Sequence, residues 1–588
     1  MRFRDIPFIQ LAAAGIIAFM GVDLVRAWPD AGVVHPDFAL RIGFNHLFLK
    51  DFEQLGRVYF PHGPLGFLQH PAPALFRSAY LVHWFLILGL SWFMLKITRR
   101  AELPFVMGFI ITMGIVVFSK LQLELILLIT LLSWHTLRAK AFSLWFWCYW
   151  VLLSLLLLLS FYIRSMPFVL GLAVWGLTLF ILFVRAIRER NLSRGIQVSL
   201  AALVFPSLAA LSWNLLWSWQ SFLAYLQAYY HLLAGSSGAT ALYPANPAYV
   251  FLAFGGIIML FWRHSTIPKG FKALLVALSL LLLKYSFGRE DPGHLYFILL
   301  GISLLALTLV LERVNREKSS LALATIGLVC VFWLGITQAG GTDKFPFPTW
   351  RPFTNLQYFL KPTVAKAHYQ THLNALHDLY KLPPTWLKRL EQGTLDFYPW
   401  DMGFIAQHEG LNYTPAPVPQ AYAAYTPFMD SLNAGHFAAG SSAPDYLIWH
   451  GLLRNGTSKT GVLLLQNLLN AAPQTAQAIL EHYKRIDTFQ QLSLWKRRRK
   501  PSTQSDANAL ISLDEIGKWV PVPASSESFS TGQLDLELNL WGSWLASFTR
   551  LRPCGLITSS KMAKWFPTAS TGKMPRNSSI YIRKHSVI

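Results

Sequence analysis

Charge is scarce in this chain. Only 14% of its 588 residues are Asp, Glu, Lys or Arg, against roughly 25% in an ordinary soluble domain. Acidic residues are the scarcer sign: 29 stand against 51 Lys and Arg, for a formal net charge of +22. Cysteine is almost missing. Cys148 and Cys330 fall inside apolar runs and Cys554 stands alone, so no disulfide framework is available. There is no internal repeat and no low-complexity tract. The first apolar run lacks a small-residue cleavage site and reads as a signal anchor, not a removable leader.

What is abundant is apolar. Hydrophobic residues make up 53% of the chain, and the mean hydropathy is +0.38. About eleven runs reach the roughly 17–25 residues that cross hydrocarbon. They lie near 6–28, 79–97, 103–119, 121–137, 143–162, 166–185, 196–217, 247–262, 271–287, 294–312 and 320–338. The expected fold class is a polytopic α-helical membrane protein. Alternate connections carry the cations: "KITRR", "RAK", "RAIRERNLSR", "WRHSTIPKGFK" and "ERVNREK". By the positive-inside rule these are cytoplasmic, and so is the N-terminus. The loop at 29–78, the turn at 284–294 and everything after about residue 339 then face outward. The positive charge is partly this topology signal, and no nucleic-acid partner is needed to explain it.

Three parts follow. Residues 1–339 form the membrane domain. Residues 340–500 mix helical runs ("TVAKAHYQTHLNALHDLYKL", "AAPQTAQAILEHYKRI") with short apolar runs of strand type ("PDYLIWH", "TGVLLLQNLL"), which suggests an outer α/β domain. Residues 501–588 are Ser/Thr-rich with short alternating runs such as "GQLDLELNLW" and "SSIYIRK", and read as a β-rich module. The "KRRRK" run at 496–500 reads most simply as a solvated or lipid-facing basic strip.

The unusual chemistry sits in two outward loops. In the first, Asp37 precedes "FALRIGFNHLFLKDF", whose apolar spacing suits a helix lying at the interface. Asp37 reads either as a plain N-cap or as a carboxylate placed for chemistry. "RVYFPHGPLGFL" follows: too apolar for a solvated loop and too broken for a span. Gly63 and Gly66 permit close backbone approach, and Pro61 and Pro64 stiffen the turn. The second loop, "KYSFGREDPGH", crowds Lys284, Arg289, Glu290, Asp291 and His294 between two spans. Ionisable groups at that depth are costly and tend to mark function. Arg164 in "FYIRSMPF" is one more outward cation, which anchoring alone explains equally well.

These residues carry a resemblance. Asp37, the G-x6-GP spacing from Gly56 to Pro64, "GPLGFL" and "FGREDPGH" look like a bacterial subgroup of the GT-C class of glycosyltransferases. "LNYTPAPVPQAYAAYTPFMDSLNAGHF" with "APDYLIWH" looks like the outer domain of that subgroup, so the likeness covers most of residues 1–500. It implies a multi-span enzyme of the bacterial inner membrane, its C-terminal domain periplasmic. Such an enzyme moves a sugar from a polyprenyl-phosphate donor to an envelope glycan, lipid or protein acceptor. On that reading Asp37 is the general base, and Lys284 and Arg289 hold the donor phosphate. His62, Gly63, Pro64, Asp291 and His294 shape the site, while Gln420, Tyr422 and Tyr425 meet the acceptor. A divalent cation (Mg or Mn) stays open, because Asp37 lacks the acidic neighbour that many class members carry. A lipid-linked glycan polymerase or ligase, and a flippase of lipid-linked sugar, are the alternatives.

Overall fold

The computed structural model describes residues 7–24, 36–100, 105–118, 121–140, 142–239, 269–287, 351–375, 381–399, 402–408, 410–438, 440–450, 472–489, 492–500, 519–521 and 579–581. The chain divides into two compact units, Met1–Ile479 with Lys484–Arg497, and Leu480–Tyr483 with Arg498–Ile588. In the second, Trp519–Pro521 and Ser579–Tyr581 pair antiparallel, with Val520 opposite Ile580.

The first unit opens with α1 (Pro7–Gly21), α2 (Pro36–Lys50) and the single turn α3 (Phe52–Leu55). The helices α4 (Phe76–Arg100), α5 (Phe105–Phe118), α6 (Leu121–Arg138), α7 (Leu144–Ile163), α8 (Ser165–Arg188), α9 (Leu192–Leu216), α10 (Trp219–Ala239) and α11 (Lys269–Phe287) follow. Five stretches are long and apolar enough to cross a membrane: Pro73–Arg99, Leu121–Arg138, Leu144–Ile163, Ser165–Arg188 and Leu192–Leu216. Phe8–Gly21, Phe105–Val116 and Lys272–Leu282 are apolar but shorter. The described residues thus show fewer spans than the eleven apolar runs of the sequence. The runs at 247–262, 294–312 and 320–338 lie outside them.

The bundle is built around α6. Its neighbours α4, α7 and α8 enclose it so fully that all residues from Leu121 to Leu137 are buried. Several of its polar side chains are satisfied inside the bundle. Thr130 and Thr136 donate to the carbonyls of Ile126 and Leu132 at 2.7 and 2.8 Å, and Ser133 meets the hydroxyl of Thr178 on α8. The outer helices keep large apolar side chains on the surface. Leu203 and Leu211 of α9 are each 59% exposed, as suits a face in contact with lipid.

Two segments show packing that their sequences do not. The segment after residue 217 reads in sequence as an outer connection, yet α10 is a helix of 21 residues. Phe222, Tyr225, Ala228, Tyr229 and Leu232 are buried along one face of it, at helical spacing. Helix α2 is also more enclosed than its sequence suggests. Leu40, Ile42, Phe44, Asn45 and Leu47 are all buried, spread around its circumference, because a second layer covers it.

That layer is an α/β lobe. After α12 (Pro352–Leu360), α13 (Pro362–Ala375) and α14 (Pro384–Leu390) come β1 (Thr394–Tyr398), α15 (Phe404–Gln407), β2 (Asn412–Tyr413), α16 (Pro427–Ala438), β3 (Tyr446–His450), α17 (Pro473–His482), β4 (Tyr483–Phe489) and β5 (Leu492–Arg497). The sheet order is β2-β1-β3-β5-β4. β1 is parallel to β2 and β3, and β5 runs antiparallel to β3. "PDYLIWH" supplies β3, and "AAPQTAQAILEHYKRI" begins as α17. Its tail "YKRI" is strand instead of helix, because Tyr483 and the β-branched Ile486 fit the pleated edge beside β5. "TGVLLLQNLL" and "GQLDLELNLW" lie outside the described residues.

One asparagine ties the lobe to the bundle. Asn355 of α12 is fully buried. Its oxygen accepts from Leu24 N at 3.0 Å and its amide donates to Val22 O at 3.1 Å, so it holds the chain as it leaves α1. Arg77 at the head of α4 donates to the carbonyls of Phe359 and Leu360 at 2.8 and 3.3 Å. Replacing Asn355 by Leu preserves volume but strands a buried N–H and a buried carbonyl. We expect about 1–3 kcal/mol of lost stability, measured as a lower unfolding midpoint of the purified protein in detergent.

Candidate functional site

The broken turn after α3 is not free. It docks by its backbone into the gap between α7 and α8. Gly63 N donates to Ile163 O at 3.0 Å, Leu65 N to Tyr162 O at 2.7 Å, and Ser165 N to Pro61 O at 2.8 Å. His62 and Arg164 thereby face each other as an antiparallel bridge. Arg164 is extended there (φ −163°, ψ 145°), which ends one helix and starts the next. The sequence shows why the turn needs glycine. A Cβ on Gly63 would sit 2.4 Å from the carbonyl oxygen of Tyr162, and one on Gly66 would sit 2.9 Å from the Cβ of His62. The room that these glycines leave is taken by the end of α7 and by His62.

Helix α2 completes the arrangement. Asn45 clamps it to the turn: its oxygen accepts from Ala72 N at 2.7 Å, and its amide donates to Arg41 O at 2.7 Å and His70 O at 2.9 Å. Between α2 and the turn lies a small cleft of about 10 Å³, lined by Arg41, Asn45, His62, Phe67 and His70. That is room for about one water molecule. The His62 ring stacks on Phe60 at 6.0 Å and meets the edge of His70 at 6.5 Å. Burial, then the positive charge of Arg164 and of Arg41, push the His62 imidazole well below its ordinary value of 6.5. It is neutral at neutral pH.

Arg164 is held from two sides. Its Nη1 donates to Gln69 Oε1 at 3.3 Å. With the amide of Gln122 turned so that its oxygen faces the guanidinium, Arg164 also donates to that oxygen at 3.3 Å from Nε and 2.5 Å from Nη1. Gln122 stands on the first turn of α6. The first turns of α6 and α8 and the last turn of α7 therefore meet at one end of the bundle.

The lobe covers this end. Tyr59 N donates to Pro417 O at 2.7 Å. A Cβ on Gly43 of α2 would strike Met402, and one on Gly235 of α10 would strike Tyr425. His231 stacks on Phe428 at 4.3 Å. Beneath, an aromatic block of Phe161, Tyr162, Trp213, Trp217, Tyr225 and Tyr229 seats the turn from the α9–α10 side. Trp217 Nε1 donates to Phe52 O at 3.2 Å.

The residues named from sequence separate as follows. His62, Gly63 and Pro64 stand in the docked turn. Asp37 is on the first turn of α2, one turn before Arg41, and Lys284 is on the last turn of α11; the side chains of both lie outside the described parts, as do Arg289, Asp291 and His294. Gln420 is fully buried, inside the lobe. Tyr425 is half-buried against α10, and Tyr422 stands on the short turn Ala421–Ala423 with its side chain outside the described parts. Arg41, Gln69, His70 and Gln122 were not singled out in sequence. Arg41 carried a signal, as a cation one turn from Asp37; Gln69, His70 and Gln122 carried none. Among the described residues no group of three or more His, Cys, Asp and Glu side chains is assembled for a metal.

No family model matches the chain, and no curated protein matches it.

Two outcomes test this geometry. Gly63→Ala forces the turn off the end of α7 and costs about 1–3 kcal/mol, as overpacking does, read as a lowered unfolding midpoint. The second concerns pH. Below about 6.5 the unfolded chain protonates His62 while the folded protein resists, so the unfolded state binds more protons and stability falls on acidification. His62→Gln flattens that part of the stability–pH curve between pH 6.5 and the lower value in the fold.

Proposed function

We propose that this protein is a membrane glycosyltransferase of GT-C type, taking its sugar from a polyprenyl-phosphate donor. The observation that supports this is the convergence of Arg41 and Arg164 on half-buried His62 at the bundle end covered by the lobe. Two guanidiniums gathered where apolar helices end offer fixed positive charge to an anion. A lipid phosphate is the anion this chemistry suits, since the planar fork of arginine matches its oxygens bidentately, and it sits at the mouth of the cleft, whose interior holds only about one water.

On this reading Arg41 and Arg164 share the phosphate with Lys284 and Arg289. They stabilise the charge that develops as the sugar–phosphate bond breaks. Asp37 takes the proton of the acceptor hydroxyl, whose attack opposite the leaving phosphate inverts the anomeric centre. His62, neutral, offers a hydrogen bond without adding to the cationic charge. Asp291 and His294 orient the donor. Tyr425, half-buried against α10, meets the acceptor together with Tyr422, and buried Gln420 holds the segment that carries them. The bundle sits in the bacterial inner membrane with the lobe on the periplasmic side.

The test is genetic complementation. A strain lacking the protein is supplied with wild type, Arg164→Ala or Arg41→Ala at matched membrane levels, and its envelope glycans and lipid-linked sugars are measured by mass spectrometry. Each variant is expected to lose about 10²-fold or more of the transfer, as when one stabilising donor is removed from a transition state, with a lipid-linked sugar accumulating. Full restoration by both variants removes the phosphate role. Loss of the lipid-linked sugar from the outer leaflet alone moves the reading to a flippase.

A further inference from the structure

The sheet of the lobe has two ends with different surroundings. The segments that follow the carboxyl ends of β1 and β2 face the bundle: Met402 packs on Gly43, Pro417 accepts from Tyr59, and Tyr425 and Phe428 meet α10. β3 is parallel to β1, with Leu395 opposite Tyr446. The amino ends of β1 and β3 therefore lie at the far edge, away from the helices. β5 is antiparallel to β3, and its last residues pair there, with Lys496 opposite Tyr446. The start of β4, next to β5 in the sheet, and the end of α14, just before β1, reach the same far edge.

This edge is basic. Lys388, Arg389, Lys484, Arg485 and Lys496 are all exposed there, and Arg497 is half-buried. The nearby acids are fewer and partly engaged. Asp445 accepts from the backbone N–H and hydroxyl of Thr394, and Asp487 accepts from Trp386 Nε1 at 2.9 Å. The Trp386 hydrogen bond first, with Arg389 contributing, lowers the Asp487 carboxyl. Glu391 is exposed. Aromatic surface lies beside the cations. Half-exposed Trp495 precedes Lys496 on β5 and stacks at 5.6 Å on half-exposed Trp449, which lies towards the carboxyl end of β3, while Lys496 stands on the other face of the sheet and reaches over the Tyr446 ring at 5.6 Å.

We propose that this far edge binds an acidic glycan, one that bears carboxylate or phosphate groups. Multiple exposed cations attract a polyanion at long range and hold it by many weak contacts. The half-exposed indoles supply apolar faces on which sugar rings stack, and an acidic peptide has no equivalent use for them. The edge points away from the helix ends, which disfavours the headgroups of the membrane the bundle crosses. This surface is separate from the cluster around His62, and the proposal does not depend on the transfer reaction.

The experiment uses the full chain in nanodiscs of zwitterionic lipid. The probes are fluorescent polygalacturonate, phosphomannan and neutral dextran, titrated at low salt with anisotropy as the readout. A triple variant, Lys484→Glu with Arg485→Glu and Lys496→Glu, is compared with wild type. These side chains are exposed, so an unchanged unfolding midpoint is expected, and Lys496→Arg serves as the charge-preserving control. Wild type and control are expected to bind one or both acidic glycans, with affinity falling as salt rises, and to ignore dextran. Polygalacturonate or phosphomannan, whichever binds, tells carboxylate from phosphate. The triple variant is expected to bind about tenfold or more weakly. Equal binding by the triple variant overturns the proposal, as does equal binding of dextran. So does a difference seen only with added anionic vesicles, which assigns the edge to a bilayer.

Discussion

The arrangement depends on three backbone hydrogen bonds. Gly63, Leu65 and Ser165 give their N–H groups to the carbonyls of Ile163, Tyr162 and Pro61. Where helices stop near a membrane, the unpaired backbone groups must find partners inside the protein, because the hydrocarbon supplies none. The α7–α8 junction and the proline-glycine turn each leave such groups, and each satisfies the other. Everything at this end follows from that exchange. Arg164 is pulled beside His62, α2 is clamped above by Asn45, and the lobe settles on the resulting surface through Tyr59 and Pro417.

The exchange also sets the local electrostatics. A guanidinium is never deprotonated in a protein, so Arg164 and Arg41 bring fixed charge to a crowded place. The structure meets this with neutral acceptors: Gln69 and Gln122 take up Arg164. Burial and the two arginines keep His62 uncharged. A positive cluster next to a neutral imidazole, covered by the lobe, is a setting in which a bound anion gains strongly from low dielectric. The proposed donor phosphate rests on that balance, and so does the absence of need for a carboxylate beside Arg164.

Much of the bundle was legible. Runs such as "LWFWCYWVLLSLLLLLSFYI" are uniformly apolar over twenty residues, and such a run has one stable outcome near a membrane. Helix α2 was legible as a helix, and β3 as a strand, because periodicity and β-branched or aromatic content act locally. Helix α10 was not. Its tyrosines, glutamine and histidine lower its hydropathy, and the face of Phe222, Tyr225 and Tyr229 gains its meaning from Trp213 and Phe161, which are distant in the chain or on another helix. The burial of α2 was equally hidden, since the lobe that covers it lies some 360 residues further on, around Met402.

Residue chemistry alone therefore determined the apolar helices, the broken turn with its two glycines, and the polar end at which unusual residues gather. Those follow from local rules: hydrocarbon selects helices, and proline and glycine interrupt them. Which residues meet was decided only by the tertiary structure. Arg164 was one outward cation among several until the turn at residues 61–65 closed on the α7–α8 gap, and Arg41 was one charge on α2 until Asn45 fixed that helix above His62. The basic run at the end of β5 became an edge only when the antiparallel pairing with β3 carried it away from the bundle. Contacts between segments a hundred or more residues apart are set by packing and by the pairing of buried backbone groups, and no local pattern in the sequence encodes them.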